Sequence, residues 1–151
     1  VSAESEIFGA VVDSEEEVEA LRRIRNLGRM FMTGTQVEIS PREQLKWWRE
    51  QRKVIGKDFL PIIYRRRDDA EIVGYGILNR KSEGLYISLA VAPAHRGFGY
   101  GTSIYYDMHE RAGEAVYAVV LQTNLASLSA ARKAGYTVIG KFFDGIILVK
   151  E

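Results

Sequence analysis

The chain has no cysteine, two histidines, three prolines and no long apolar run. Without cysteine there is no disulfide scaffold, no zinc finger, no iron–sulfur site and no cysteine nucleophile. His95 and His109 stand fourteen residues apart, so they cannot form the helical two-histidine zinc motif, and no metal site is expected. The longest purely apolar run, Ala115 to Leu121, falls far short of the roughly 20 residues a membrane-spanning helix needs. Charge of one sign is scarce as well. With 21 basic and 20 acidic residues the net charge is +1, which gives no global pull toward nucleic acid. The first residues, Val1-Ser2-Ala3-Glu4-Ser5-Glu6, are acidic and polar, unlike a secretory leader. A cytoplasmic protein is expected.

What is present fits one globular domain over residues 1–151. Hydrophobic residues make up 46% and charged residues 27%, an ordinary soluble composition. A chain of this length buries roughly 70% of its extended surface, enough for one core. No repeat, low-complexity stretch or linker interrupts it.

Residues Glu6 to Val12 have strand-like apolar content. Asp13-Ser14 followed by three glutamates predicts a helix start, because a capping oxygen accepts orphan amides and carboxylates favour the positive helix end. Val18, Leu21 and Ile24 are its buried stripe and Gly28 marks its end. Ser40-Pro41-Arg42-Glu43 predicts a second helix by a capping box with proline at the first position. Leu45, Trp48 and Arg52 share a face there, with Trp47 beside it.

The period then changes to that of strands. Phe59 to Arg65 and Glu71 to Asn79 flank a charged turn and read as a hairpin, and Gly84 to Val91 as a third strand. Arg65-Arg66-Arg67 next to Asp68-Asp69 reads as a solvated, charge-balanced turn. Gly101 to Ala112 is helical, and Ala115 to Leu121 is a strand of the type buried on both faces. Asn124 to Ala134 is a helix capped by asparagine and stopped by Gly135. A last hairpin turns at Asp144-Gly145. The order is strand, two helices, three strands, helix, strand, helix, two strands, which is an α/β domain with a mixed central sheet.

The chemically informative stretch is Arg96-Gly97-Phe98-Gly99-Tyr100-Gly101-Thr102, between a strand and a helix. Alternate glycines let the backbone turn tightly and leave its amides open. At a helix N-terminus such amides favour an anion, for example a pyrophosphate. No Gly-Lys-Ser/Thr follows, so it is not a P-loop. A Rossmann fingerprint belongs after the first strand of a βαβ unit, whereas here a three-strand meander comes first.

Arg96 to Gly101 resembles the Arg/Gln-x-x-Gly-x-Gly/Ala motif of the GNAT N-acetyltransferase superfamily. Val91-Ala92-Pro93 is similar to that family's lead-in. Asn124-x-x-Ser127 with Gly135-Tyr136 is similar to its Asn-x-x-Ala/Ser helix ending in Gly-Phe/Tyr. The element order also matches, over nearly the whole chain. Arg25-Asn26, Phe31-Met32, Ile39-Ser40 and Glu43 to Trp47 resemble a branch that acylates amino sugars on nucleotides, and a branch acting on protein N-termini has a related layout.

The resemblance implies acetyl-coenzyme A as cosubstrate and an amine acceptor on a small molecule or a peptide. It implies that the fourth and fifth strands splay apart. The pantetheine arm would pair with Leu89, Ala90 and Val91, and the pyrophosphate would sit on Gly97 to Thr102. Asn124 would bond the arm, and Ser127 would face the same channel. Arg25 and Asn26 would touch the acceptor.

One departure stands out. The family's tyrosine acid, seven residues after the helix asparagine, is here Ala131. Losing that acid should slow transfer without abolishing it, and a rate raised by Ala131→Tyr would mark a slow enzyme that lacks its acid. Ser88 is the candidate for relaying a proton from the amine, since the fourth strand offers only Tyr86 and Ser88 as polar side chains. His95 is expected on the surface, beside the phosphates. Trp47 or Trp48 could wall the acceptor pocket. Two other readings remain open: a coenzyme A-binding module without turnover, and a nucleic-acid-modifying acyltransferase that uses Arg65 to Arg67.

Overall fold

Ser14 caps the first helix by accepting from the Glu17 amide, and Ser40 forms a complete capping box with Glu43, with Pro41 in the first turn. These local signals set helices α1 (Glu15–Leu27) and α2 (Pro41–Gln51). The computed structural model describes residues 5–151; residues 1–4 of the acidic start lie outside the described residues.

The strands are β1 (Ile7–Val11), β2 (Phe59–Arg66), β3 (Ile72–Lys81), β4 (Gly84–Val91), β5 (Val116–Leu121), β6 (Thr137–Phe142) and β7 (Gly145–Lys150). Helix α3 (Tyr100–Ala112) joins β4 to β5, and α4 (Leu125–Lys133) joins β5 to β6. The seven strands form one mixed sheet in the order β1-β2-β3-β4-β5-β7-β6. Only β4 and β5 run parallel; the helix between them supplies the crossover that parallel neighbours require.

Each face of the sheet has its own core. On one face Val18, Leu21 and Ile24 of α1 and Trp48 of α2 pack with Ile63, Tyr75 and Ala90. On the other, Ile104, Tyr105 and Met108 of α3 pack with Leu85, Val116 and Leu148. Gly74 and Gly76 on β3 let α3 lie close. A Cβ on Gly76 would stand 3.0 Å from Met108 Cγ and Sδ, and one on Gly74 would stand 3.1 Å from Ile104 Cδ1.

Two expectations shift. The last hairpin turns at Phe143-Asp144, one residue early, with Gly145 already paired to Phe142. The glycine serves packing, since a Cβ there would meet Val119 Cγ1 at 2.9 Å. Strand β5 alternates buried and half-buried residues until Val120-Leu121 and is not closed on both faces. Helices α1 and α2 cover the β2–β4 side and leave that face of β5 partly open. Among the described residues, no helix is long and apolar enough to cross a membrane.

Candidate active site

The site begins where pairing stops. Strands β4 and β5 are joined only at Leu85–Val116 and Tyr86–Tyr117. Beyond these pairs the strands diverge, while β4 stays bonded to β3 up to Val91 and β5 to β7 up to Leu121. The outer edge of Leu89-Ala90-Val91 therefore lacks a strand partner.

That edge opens into a cavity of about 410 Å³. One wall is the glycine turn. Gly97 and Gly99 hold φ of +86° and +81° with nothing within 4 Å of a virtual Cβ. These left-handed conformations favour glycine on backbone grounds alone, costing an L-residue roughly 1–2 kcal/mol. Gly99 is the N-cap of α3, so the amides of Tyr100, Gly101 and Thr102 open the helix without intrahelical acceptors. They concentrate the positive end of a 13-residue helix at the cavity. Arg96 lines it too, and its Nε donates to the Val91 carbonyl at 3.4 Å. Phe98, by contrast, stacks on Tyr100 with its side chain 63% exposed and off the cavity wall; only its backbone belongs to the turn.

The opposite wall is α4. Asn124 caps the helix, its Oδ1 accepting from the Ser127 amide at 3.3 Å. Ser127 lines the cavity, and its Oγ lies 2.7 Å from Tyr105 Oη on α3. The Tyr105 ring packs edge-on against Tyr136, 5.2 Å between centroids, and Tyr136 Oη donates to the Tyr105 carbonyl at 3.1 Å. Burial pushes the Tyr105 phenol up to about 12, with the Ser127 hydrogen bond opposing in part. Ala131 does not reach the cavity at all. It is fully buried in the α3-side core, while its neighbour Ala130 lines the wall.

Other predicted residues fall elsewhere. Ser88 is exposed and off the cavity lining; with Tyr86 and Ala90 it occupies the α1–α2 face, because side chains alternate along a strand. Arg25 and Asn26 are buried and hold the chain itself. Arg25 donates to the carbonyls of Thr35 and Val37, and Asn26 bonds both the amide and the carbonyl of Ile39. They shape the 35–39 segment and do not line the cavity. His95 is buried, contrary to expectation, and Glu71, just before β3, reaches its Nε2 at 3.2 Å. Trp48 is core and Trp47 packs edge-on against Phe59; neither reaches the cavity. Arg65 pairs with Glu17, Arg66 with Asp69 and Glu71, and Arg67 donates to the Ser5 carbonyl. The three arginines are thus engaged within the chain. Tyr105 itself is the residue that sequence reasoning missed. Its only signal is a phenol in the helical stripe that Ile104 and Met108 mark as core.

Comparison with known proteins places this fold in a family. No curated protein matches the sequence. Solved structures match over nearly the full length, at identities that speak for the fold alone. Ribosomal-protein-alanine N-acetyltransferase from Brucella melitensis shares 18% identity with a TM-score of 0.77, covering 95% of this chain and 98% of that one. A phosphinothricin acetyltransferase from Sinorhizobium meliloti, solved with acetyl-coenzyme A, shares 13% with a TM-score of 0.77, covering 97% and 88%. Spermidine N-acetyltransferase from Vibrio cholerae, solved with coenzyme A and spermine, shares 12% with a TM-score of 0.80, covering 96% and 95%. The model of the Acetyltransferase (GNAT) family matches residues 21–136. The match covers most of the chain, including the β4 edge and the glycine turn, and the chain belongs to the GNAT acetyltransferase family, with acetyl-coenzyme A as its cosubstrate.

Proposed function

We propose that this acetyltransferase acts on nitrogen, moving the acetyl group to a primary amine of a small molecule, such as an amino sugar, or of a peptide N-terminus. The observation that carries the reading is the convergence of two kinds of unpaired backbone on one cavity: the β4 edge and the first amides of α3. The amides of Gly97 to Thr102, with Arg96, would receive the pyrophosphate, since a helix N-terminus favours an anion. Leu89, Ala90 and Val91 would pair with the amides of the pantetheine arm as a further strand does. The Asn124 carboxamide would bond the same arm.

Acetyl-coenzyme A supplies the acyl group already activated as a thioester. The chain contributes positioning and fixed N–H dipoles at the end of β4, where negative charge develops on the carbonyl oxygen. Ser88, exposed and off the cavity, has no role in this reading.

Calorimetry with acetyl-coenzyme A, followed by thioester turnover over a panel of primary amines, tests it. Binding with amide formation on at least one amine is expected. Failure to bind at millimolar ligand overturns the reading. Binding without turnover across small amines and peptides replaces it with a non-catalytic module. A nucleic-acid acceptor predicts a salt-dependent shift of duplex DNA; the internal pairing of Arg65 and Arg66 with carboxylates argues against that outcome.

A further inference from the structure

Acyl transfer from a thioester leaves a sulfur anion that must end as a thiol. The cavity therefore calls for a neutral proton donor on its wall. Among the described residues, the cavity lining holds no carboxylic acid. Its ionisable side chains are His95, Arg96, Tyr100, Tyr105 and Lys133. Arg96 is a guanidinium cation, not a neutral donor. His95 is held by Glu71, and Lys133 is solvent-exposed. Tyr100, in the first turn of α3, stacks on Phe98 and makes no hydroxyl contact to the facing helix α4 among the hydrogen bonds of the described residues. Tyr105 remains. It projects from α3 to Ser127 Oγ on the facing helix, at 2.7 Å.

We propose that Ser127 and Tyr105 form a two-hydroxyl proton relay to the departing sulfur, with Ser127 Oγ at the cavity and Tyr105 Oη as the proton source behind it. The proposal rests on the acyl-transfer reading above. In the reaction the amine nitrogen bonds the carbonyl carbon, the carbon–sulfur bond breaks, and the sulfur leaves with the bonding pair. Ser127 Oγ–H gives its proton to that sulfur, and Tyr105 Oη–H replaces it. The attacking nitrogen releases one proton to water, and the phenolate takes one back from water, so charge and protons balance.

Three observations support the assignment beyond proximity. Tyr105 is 3% exposed while Ser127 is half-buried, the order a relay needs. The phenol, raised by burial, stays protonated at neutral pH and so can give a proton. Its ring is fixed by Tyr136 on one side and its backbone carbonyl by the Tyr136 hydroxyl, so Oη is held at Ser127. Under this assignment Tyr105 is a positioning residue, acting through Ser127.

The test uses Tyr105→Phe and Ser127→Ala in the full chain, with two readouts. The first is independent of turnover. Coenzyme A is bound to each protein and its thiol is titrated by thiolate ultraviolet absorbance. A donor aimed at sulfur stabilises the thiolate. A hydrogen bond to a charged group is worth enough to move a pKa by about one unit. The bound thiol in wild type should therefore titrate about one pH unit lower than in Ser127→Ala, which removes the donor, and lower by a smaller margin than in Tyr105→Phe, which leaves the Ser127 hydroxyl unsupported. The cations Arg96 and Lys133 are common to all three proteins and cancel in the comparison.

The second readout is kinetic. Removing general acid catalysis typically costs 10²–10⁴-fold, so kcat should fall about 10²-fold, with KM for acetyl-coenzyme A unchanged. Phenylalanine keeps the ring against Tyr136; Ser127→Ala, at a half-buried helix position, keeps the test decisive if Tyr105→Phe misfolds. Equal thiol titration and equal kcat in wild type and variants would overturn the relay while leaving acyl transfer intact. A wild-type chain that binds no coenzyme A overturns acyl transfer, and the relay with it.

Discussion

At the residue scale, Ala131 and Tyr105 sit on neighbouring helices with different surroundings, the first closed in the core and the second also on the cavity wall. Alanine at 131 presents a methyl group to a closed core, and the phenol of the site comes from the other helix. Ala131→Tyr tests for a missing acid only if position 131 faces the site. It does not: Ala131 is in the core and off the cavity lining, so a ring there has no cavity to enter. Overpacking a core typically costs 1–3 kcal/mol. The variant should melt at a lower temperature than wild type without gaining rate, as thermal denaturation and thioester assays would show. Sequence could locate Ala131 but could not tell which way it faces. The orientation depends on how α4 sits over α3, a contact between residues far apart in the chain.

At the element scale, caps and turns were the most legible features. Ser14, the Ser40–Glu43 box, Pro41 and Asn124 all act within one helical turn, so a short window of sequence contains their whole cause. The final turn was misplaced because the role of Gly145 depends on Val119, twenty-six residues earlier. Tertiary ties between elements were likewise illegible, and Glu17 is one of them. It joins α1 to β2 by accepting from Arg65 at 3.2 Å, and it also accepts from the Asp13 amide at 3.0 Å. Burial opposes its ionisation, but these donors outweigh burial and hold its carboxyl below the ordinary 4.5. A lowered folded-state pKa contributes stability above the unfolded pKa and loses it as pH falls through the folded value. Asp13 is raised by its contact with Glu17 and works in the opposite sense. Melting temperatures measured from neutral pH downward should therefore show Glu17→Gln less stable than wild type at pH 7. The gap should close below about pH 4.5. A gap that stays constant with pH would show that the carboxylate charge does not contribute.

At the scale of the whole molecule, the sheet is two bonded halves, β1–β4 and β5–β7, joined by the two residue pairs between β4 and β5. The class and order of elements were readable from period and punctuation, since each follows from local pattern. The divergence itself was implied only by family resemblance, because no residue in β4 or β5 encodes a missing neighbour. It has a measurable consequence. A ligand seated along β4 satisfies amides that otherwise face water. Acetyl-coenzyme A at a hundred times its Kd should add roughly 2.7 kcal/mol of stability by mass action. Hydrogen exchange should slow most at Leu89 to Val91 and little at Ile62 to Tyr64, which are already paired on both sides. Uniform slowing across the sheet would contradict a seat on β4.

The open edge of β4 also bears on solubility. A bare strand edge on a surface is a template on which other chains can assemble, and a protein that must keep one bare runs that hazard. Here the bare stretch lies inside a cavity walled by the glycine turn and α4. Another polypeptide would have to bring side chains on both faces of its strand, and they would collide with those walls. A slim, unbranched amide chain carries no such baggage. Walls on both sides of a bare edge would thus favour a narrow guest over a neighbouring protein's strand.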